Sequence, residues 1–564
     1  MTDRSRSGTR RLAIVIVGVL VLVAGCSPTA IPQATSLPVA ASASAPVSGV
    51  VAAPPRYPST VPSPLPEAPS PVVSVSPSAA PVPPAGGEVE ASVAHETVVS
   101  LVPKSVDDRA WEPVVATHPT DPDRLAVVYV HRGPGTACRL NPTIRISRDG
   151  GRTWRSTRRS PAAGSGRGVN LHAAIAWGPG PSGGSRLYWA DMTTPGCGGR
   201  FSLSTVYSDD EGATWSKLHV ERGTPPWVGG FPEIAVDRDP ASPNFRMVYV
   251  AYNWLPRAAR GPGFRLLASA DFGRSWNATD IAPAPSPRGY GDWWRIAYRL
   301  RTAPDGVVYA SWYQVDLRRW DRTNIFAKGG PGNVGRLGVA VAGVHFDRAT
   351  KSFRVGRSRI AATVPETAFT TGGASASGTT GNIRPDPMWL QGFDIDRSTG
   401  RLYLAVAAYG SARDGGPRGT IRVGHSDDGG RTWSFSTLPS APRVDGHRQS
   451  SIKPNLVAGP GYVLVTFHTL DDVRSGATVG SAYTYSTDGG ASWTTPSFIS
   501  RQRWRAANLG GVVNGTGLRE RAEMLANGDV FWAYGDGRLA RGPAAGMTAI
   551  FGALIRVGTV GSGS

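Results

Sequence analysis

The chain has 564 residues, of which 40% are hydrophobic and 18% charged, so it can bury a large core and is not disordered throughout. Glycine (70) and proline (48) are abundant, which favours many short strands joined by turns over a helical architecture. The three cysteines exclude a disulfide-rich small fold, and the lack of a second long apolar run excludes a membrane protein with several spans.

The first 26 residues have the organisation of an export signal. Arg4, Arg6, Arg10 and Arg11 precede an apolar run over residues 12–24, which is typical of a secretory signal peptide. Residues 23–26 (VAGC) resemble a bacterial lipobox, which implies cleavage before Cys26 and a diacylglycerol on its thiol. We therefore expect residues 1–25 to be a lipoprotein signal peptide. A plain signal peptide or a single membrane anchor is the alternative.

Residues 26–94 are rich in proline, alanine and serine, and residues 27–87 contain only two charged side chains, Arg56 and Glu67. Proline lacks the N–H that a helix needs, and few large apolar side chains are present to form a core. We expect a disordered tether that follows a lipid-anchored Cys26 at the outer face of the bacterial cytoplasmic membrane.

From residue 95 onward one short motif recurs five times, with Ser, Asp, Gly and Trp identical in every copy. Its first copy is residues 147–154 (SRDGGRTW), and most copies follow one another at intervals of about 60 residues. Short polar side chains next to glycine are typical of a hairpin turn, so we predict a folding role for the motif aspartates. They are Asp149, Asp210, Asp271, Asp428 and Asp488.

A second pattern precedes each motif. It is an alternating aromatic and aliphatic run that predicts a strand, and it occurs seven times. The copies are residues 125–130, 186–190, 247–252, 307–313, 402–407, 462–467 and 529–534. The fourth and seventh modules lack the Ser-Asp-Gly-Trp motif.

Modules of this length, each with three or four strands, must stack on one another to bury their sheets. We predict an all-β chain in which residues 95–564 form a β-propeller of four-stranded antiparallel blades. Seven blades are favoured, and six are the alternative. The last module is one strand short, and residues 96–102 (ETVVSLV) are the candidate to complete it.

The Ser-x-Asp-x-Gly-x-Thr/Ser-Trp motif resembles the Asp-box, or BNR repeat, of the sialidase superfamily. The resemblance implies the propeller fold over most of the chain. For a sialidase it also implies three arginines that clamp a carboxylate, a Tyr–Glu nucleophile and an Asp acid/base. The first of these arginines normally lies in a Phe/Tyr-Arg-Ile-Pro motif. Residues 109–114 read RAWEPV instead, and this departure favours binding over hydrolysis.

Because the innermost strands of a propeller line its axial channel, polar residues near the predicted start of each inner strand are the candidate site. For hydrolysis, the catalytic candidates are Glu112, Glu233, Asp292 and the anion-binding Arg295. The ligand-binding candidates are His172, Gln391, Lys453, Glu520 and Arg521. The alternative for each of them is a wet channel in which the polar residues pair with one another.

Cys138 and Cys197 precede adjacent motifs at similar distances, so in an exported protein we expect them to form a disulfide, as the alternative to two free thiols. We expect no metal, cofactor or nucleic acid, because no motif for any of them occurs. The formal net charge of +19 suits an anionic glycan or cell-wall polymer as partner of a monomeric domain.

These observations lead to three functional hypotheses. The first is a cell-surface propeller that binds glycan or another extracellular ligand at the channel mouth. The second is an exo-sialidase-type glycoside hydrolase with a divergent active site. The third is a protein–protein scaffold, which predicts exposed apolar patches on the blades.

Overall fold

The computed structural model describes fourteen stretches of the chain, which together form the propeller. They are residues 89–100, 109–132, 141–159, 169–194, 202–221, 226–256, 263–282, 293–316, 337–364, 391–411, 417–471, 478–505, 519–539 and 548–559. The expected signal peptide, most of the expected tether and Cys26, Cys138 and Cys197 lie outside these ranges. None of the described residues forms a helix long and apolar enough to cross a membrane.

In the part of the chain that the structure describes, thirty strands form seven antiparallel sheets, which are the blades of the propeller. The chain enters through β1 (Val89–Val98). Blade 1 then contains β2 (Arg109–Thr117), β3 (Leu125–Arg132), β4 (Asn141–Ser147) and β5 (Arg155–Arg159). Blade 2 contains β6 (Val169–Pro179), β7 (Ser185–Thr194), β8 (Ser202–Ser208) and β9 (His219–Glu221). Blade 3 contains β10 (Pro226–Val236), β11 (Val248–Pro256), β12 (Gly263–Ser269) and β13 (Asn277–Ala282).

The fourth blade has five strands, because two short strands both pair with β16. It contains β14 (Trp293–Thr302), β15 (Val308–Asp316), β16 (Leu337–Asp347), β17 (Ser352–Val355) and β18 (Arg359–Val364). Blade 5 contains β19 (Gln391–Ile395), β20 (Leu402–Ser411), β21 (Pro417–Ser426) and β22 (Ser434–Thr437). Blade 6 contains β23 (Gln449–Gly459), β24 (Tyr462–Asp471), β25 (Thr478–Ser486), β26 (Ser497–Phe498) and β27 (Trp504–Arg505).

Blade 7 joins the two ends of the chain. It consists of β28 (Arg521–Met524), β29 (Val530–Asp536), β30 (Ala549–Thr559) and β1, in that order from the inside outward. The antiparallel pairing runs from Val89 opposite Thr559 to Val98 opposite Phe551. The propeller prediction and the count of seven blades are therefore confirmed, and the six-blade alternative is wrong.

The N-terminal boundary differs from the expectation. The propeller was expected to begin at residue 95, but this residue lies inside β1, because the strand begins at Val89. Only the first part of the predicted closing segment, residues 96–98, belongs to β1, and residues 101–102 lie outside the described ranges. The alternation of apolar and polar residues that predicts a strand is weak in β1, because the strand has a bulge between Val93 and His95.

The seven aromatic and aliphatic runs are the second strands of the seven blades. Every residue of β24 and of β29 is buried. Each blade packs against a neighbour on both faces, so these strands have two apolar faces instead of one. This arrangement explains why the sequence shows nearly continuous hydrophobic runs.

All seven inner strands begin at one face of the ring and end at the other, because consecutive blades repeat the same path from inside to outside. We call the first the start face, where β2, β6, β10, β14, β19, β23 and β28 begin. The opposite face is the end face, and it carries the turns between first and second strands and the Ser-Asp-Gly-Trp turns.

Candidate functional site

Three inner strands hold a polar residue in the left-handed backbone region near the start face. Glu112 has φ 57°, His172 has φ 50° and Lys453 has φ 55°. Each lies at an irregularity in the pairing of β2, β6 or β23 with its neighbour. Such conformations cost free energy for residues other than glycine and persist only when the surroundings hold them.

Proline residues partly explain why the strand pairing is irregular at these positions. Pro113 follows Glu112 and Pro454 follows Lys453, and a proline has no N–H to donate to the strand ladder. The pairing resumes at Val114 in β2 and at Asn455 in β23. The bulges thus place Glu112 and Lys453 outside the regular alternation of the strands.

Glu112 and His172 form a contact between adjacent blades. Oε2 of Glu112 lies 2.5 Å from Nδ1 of His172, and both side chains are buried. A carboxylate at Nδ1 fixes the orientation and tautomer of an imidazole, which is the arrangement that catalytic histidines use. The pair can therefore orient a proton-transfer group at the start face.

Lys453 is buried close to two carboxylates. Burial lowers the pKa of Lys453, and Glu520 and Glu112 oppose this shift by favouring the charged ammonium. Glu520 is itself completely buried and lies within 3.0 Å of Nε2 of His468 through both carboxylate oxygens. The lysine thus links the Glu112–His172 pair to a second glutamate–histidine pair.

Glu233 is paired with two arginines from blade 7 and its approach. Nη2 of Arg519 donates to Oε2 of Glu233 at 2.9 Å, and Nη2 of Arg521 donates to Oε1. Burial alone would raise the pKa of Glu233, but Arg521, Arg299 and Arg519 outweigh it and lower that pKa. Glu233 is therefore an ionised carboxylate at neutral pH, and neither oxygen carries a proton to donate.

Arg519 and Arg299 also connect distant blades. Arg519 donates from Nη1 to the carbonyl of Ala173 at 3.1 Å and from Nη2 to the carbonyl of Pro232. Arg299 donates from Nη2 to the carbonyl of Glu520 at 3.3 Å. Burial and Arg521 lower the pKa of Arg299 to about 9, which leaves it protonated at neutral pH.

Together these side chains form what we call the start-face cluster. Its members are buried, charged or titratable, and come from six of the blades or from the segments that lead into them. They are Glu112, His172, Glu233, Arg299, Lys453, His468, Arg519, Glu520 and Arg521.

Six sequence-predicted residues belong to this cluster: Glu112, His172, Glu233, Lys453, Glu520 and Arg521. Arg295 lies in β14 and Gln391 begins β19, but their side chains fall outside the described part, as does the whole of Asp292. Residue-by-residue reasoning missed Arg299, His468 and Arg519. Arg519 directly precedes Glu520 and Arg521, so its position beside two candidates was the available signal.

The motif aspartates lie on the end face, away from the cluster, and bond within their own turns. In the first copy, Ser147 Oγ donates to Asp149 Oδ1 at 2.8 Å and accepts from the N–H of Gly151 at 2.8 Å. Asp149 accepts the N–H and the hydroxyl of Thr153. The other copies repeat these bonds around Asp210, Asp271, Asp428 and Asp488.

In the part of the chain that the structure describes, no group of three or more His, Cys, Asp or Glu side chains is arranged to hold a metal ion. Two large apolar side chains there are exposed, Leu218 and Ile360. They lie on different blades.

Comparison with known proteins gives matches in structure alone. No family model and no curated protein sequence matches the chain. The polysaccharide lyase Uly1 is 9% identical, with a TM-score of 0.43 over 82% of this chain and 99% of its own. An α-L-arabinanase from Penicillium chrysogenum is 12% identical, with a TM-score of 0.40 over 66% of this chain and 94% of its own.

A sialidase from Trypanosoma rangeli is 10% identical, with a TM-score of 0.37 over 82% of this chain and 58% of its own. Similarities as low as these carry no argument about function. What the protein does therefore has to be argued from its own residues.

Proposed function

We propose that the protein binds a glycan or another extracellular ligand at the start-face mouth of its axial channel. The observation that carries the proposal is the left-handed backbone of Glu112, His172 and Lys453, all at bulges near one end of the channel. Strained polar residues that cluster at one mouth point to function, because a merely structural channel does not require them.

The chemistry of the cluster suits a hydroxylated and acidic ligand. Glutamates and histidines offer acceptors for sugar hydroxyls, and Lys453 and the arginines offer cationic donors for a carboxylate or sulfate. A net positive chain favours an anionic glycan or cell-wall polymer over a neutral one.

The test is a glycan array probed with the purified protein and with a matched pair of lysine variants. Lys453 (φ 55°) is buried in the channel, whereas Lys351 (φ 53°) is exposed in the turn between β16 and β17. Asparagine tolerates this backbone conformation, so Lys453→Asn and Lys351→Asn impose the same local change.

Loss of one cationic donor is expected to weaken binding about tenfold or more in Lys453→Asn and not at all in Lys351→Asn. Urea unfolding shows whether each variant is folded. Equal affinity for the two folded variants would contradict the proposed position of the site.

A second candidate function, glycoside hydrolysis, is favoured by the 2.5 Å contact between Glu112 and His172. An imidazole held by a carboxylate is a suitable acid or base for glycosidic bond cleavage. Turnover of fluorogenic aryl glycosides, a sialoside included, is expected to disappear in Glu112→Gln if this function is present. No turnover by the folded wild-type protein would exclude these substrates and leave binding.

We further propose that the mature protein is attached to the outer face of the bacterial cytoplasmic membrane through Cys26, with residues 27–88 as its tether. The support is the lipobox-like sequence at residues 23–26 after an apolar run. Cys26→Ser is expected to move the protein from the detergent phase to the aqueous phase in Triton X-114 partitioning. Unchanged partitioning would contradict lipidation at Cys26.

A further inference from the structure

A cavity of about 300 Å³ occupies the axial channel on the side of the end face. All seven inner strands, or the turns that follow them, contribute to its wall. Its wall is mixed, because it contains apolar residues such as Val115 and Ile175 as well as charged residues such as Arg301 and Asp394. The volume is at the lower end of the range for small-molecule sites.

Four arginines line this cavity, and two of them are balanced by carboxylates. Arg301 donates to Asp394 at 2.8 Å and to Glu523 at 2.9 Å. Arg521 bonds Glu233 and lies 3.5 Å from Glu523. These two guanidinium groups therefore have their counter-ions within the channel.

The other two arginines, Arg238 and Arg397, form no salt bridge among the described residues, although Glu523 is near enough to Arg238 to stabilise its charge. Arg238 donates to the hydroxyl of Thr117 at 3.3 Å, and Arg397 donates to the hydroxyl of Thr302 at 3.4 Å. Arg238 follows β10 and is partly buried, whereas Arg397 follows β19 and is exposed at the mouth. Both line the same cavity from different blades.

The two groups also repel each other. Burial, followed by the charge of Arg397, lowers the pKa of Arg238 to about 10 although Glu523 opposes this shift, so Arg238 is cationic at neutral pH. His118, a further polar group on the wall, is neutral, and burial lowers its pKa. Its Nδ1 accepts the N–H of Asp121 at 3.1 Å, so the proton lies on Nε2, which faces the hydroxyl of Ser185 at 2.7 Å.

We propose that this end-face cavity is a second ligand site, which binds the oxyanion of a small phosphate, sulfate or carboxylate compound between Arg238 and Arg397. Guanidinium groups are planar forks that bond such oxygens in pairs, and their spare N–H groups provide the donors. An oxyanion there neutralises two like charges that share one opening.

The test uses the purified full-length protein and inorganic phosphate, sulfate and acetate as probes, each titrated by calorimetry against chloride at the same ionic strength. Arg238→Gln and Arg397→Gln are expected to weaken oxyanion binding about tenfold or more, because each removes a charge-assisted donor. The control is Arg357→Gln, an exposed arginine between β17 and β18, which should bind as the wild type does. The preferred probe identifies which oxyanion the site takes.

Thermal unfolding provides a second test, because the proposal predicts the direction in which each variant changes the unfolding temperature. Without phosphate, Arg238→Gln and Arg397→Gln are expected to unfold at the same or a higher temperature than the wild type, because a like-charge repulsion is removed. With phosphate, the wild type and Arg357→Gln should gain stability that the two variants do not.

Either of two results would overturn the proposal. One is the absence of oxyanion binding beyond the chloride control, and the other is equal binding by all three arginine variants. The start-face site is tested independently, since Lys453→Asn should leave phosphate binding unchanged.

Discussion

The charge of Glu233 is important for the stability of the buried cluster around it. Its carboxylate is fully buried and accepts N–H groups from Arg519 and Arg521. The sequence predicted that Glu233 lies near the start of an inner strand, which made it a catalytic candidate, but it is the eighth residue of β10. An ionised carboxylate with both oxygens bonded to arginines is better suited to hold blade 7 against blade 3. Loss of one member of such a buried group leaves the others without a counter-ion.

We predict that Glu233→Gln lowers the free energy of unfolding by about 3 kcal/mol or more, because the buried arginines lose their carboxylate. Urea unfolding followed by tryptophan fluorescence measures the change. The control is Glu211→Gln, whose partners Arg124 and Arg148 are about half exposed, and a solvent-screened pair contributes at most about 1 kcal/mol. Equal losses in the two variants would contradict the assigned role of Glu233.

The lowered pKa values of the motif aspartates indicate that the protein loses stability in acid. Partial burial works to raise the pKa of Asp149, but the bonds from Thr153 and Ser147 outweigh it and lower that pKa. The pKa of Asp428 is lowered as well, chiefly by the N–H of Thr432. A carboxyl whose folded pKa is depressed stabilises the fold above its unfolded pKa, near 4, and loses that contribution as the pH falls through the folded value.

We therefore expect Asp428→Asn to destabilise the protein by roughly 1 kcal/mol at pH 7, since the ionised acceptor is lost. The difference from the wild type should shrink as the pH falls below about 4, because the unfolded wild-type chain then takes up a proton at Asp428 while the folded protein keeps this carboxylate ionised. Urea unfolding at pH 7, 5 and 3 tests this. A difference that stays constant across that range would show that ionisation of Asp428 is irrelevant.

Much of the start-face cluster could be inferred from the sequence, because the second-strand runs place the start of each inner strand within a few residues. His468 escaped that reasoning because it lies in β24, a second strand, and reaches Glu520 across the blade boundary. The sequence also could not predict which of these residues form hydrogen bonds with one another. The pairing of Glu233 with Arg519 joins positions far apart in the chain, and no local pattern encodes it.

At the scale of the elements, the Ser-Asp-Gly-Trp turn also joins neighbouring blades. Nε1 of Trp154 donates to Thr97 Oγ1 in β1, and Nε1 of Trp493 donates to Ser436 Oγ in β22. Both acceptors lie in the outermost strand of the preceding blade. The sequence predicted the turn from its residues but not this second role, because a contact between blades requires the ring to be known.

Substitution of Gly151 tests whether the contact between the turn and the neighbouring blade stabilises the fold. Its φ of +89° suits glycine, and a Cβ there would collide with the ring of Phe531 in blade 7. Gly183 has a similar φ of +82°, but a Cβ at that position would have nothing within 4 Å of it. We expect Gly183→Ala to cost about 1 kcal/mol from backbone strain alone and Gly151→Ala about 1–3 kcal/mol more. Equal costs in urea unfolding would show that the blade contact contributes little.

At the scale of the molecule, one strand closes the ring. Besides its pairing with β30, β1 contacts both neighbouring blades. Tyr483 of blade 6 donates to the carbonyl of Ala91, and Thr97 donates to the carbonyl of Gly151 in blade 1. Arg538 binds Glu96 through two N–H groups at 2.8 and 2.9 Å. The sequence predicted closure by an N-terminal strand, but the weak pattern of β1 hid its true start at Val89.

We predict that a chain beginning at residue 99 has a markedly lower unfolding temperature and aggregates, because β30 becomes an unpaired edge. A chain beginning at residue 86 keeps β1 and should unfold with the full-length protein. Differential scanning calorimetry and light scattering measure the two effects. If both shortened chains behaved like the full-length protein, β1 would not be the closing element.

The pairing of β1 with β30 also determines when folding can be completed. The ribosome synthesises β1 before any blade, but it synthesises β30, the strand that pairs with β1, only after all the other strands. The first strand must therefore wait, unpaired, through almost the whole of synthesis, and six blades can assemble without a closed ring. Closure between such distant segments is entropically costly and slow. The finished fold can therefore form only after the whole chain has been synthesised.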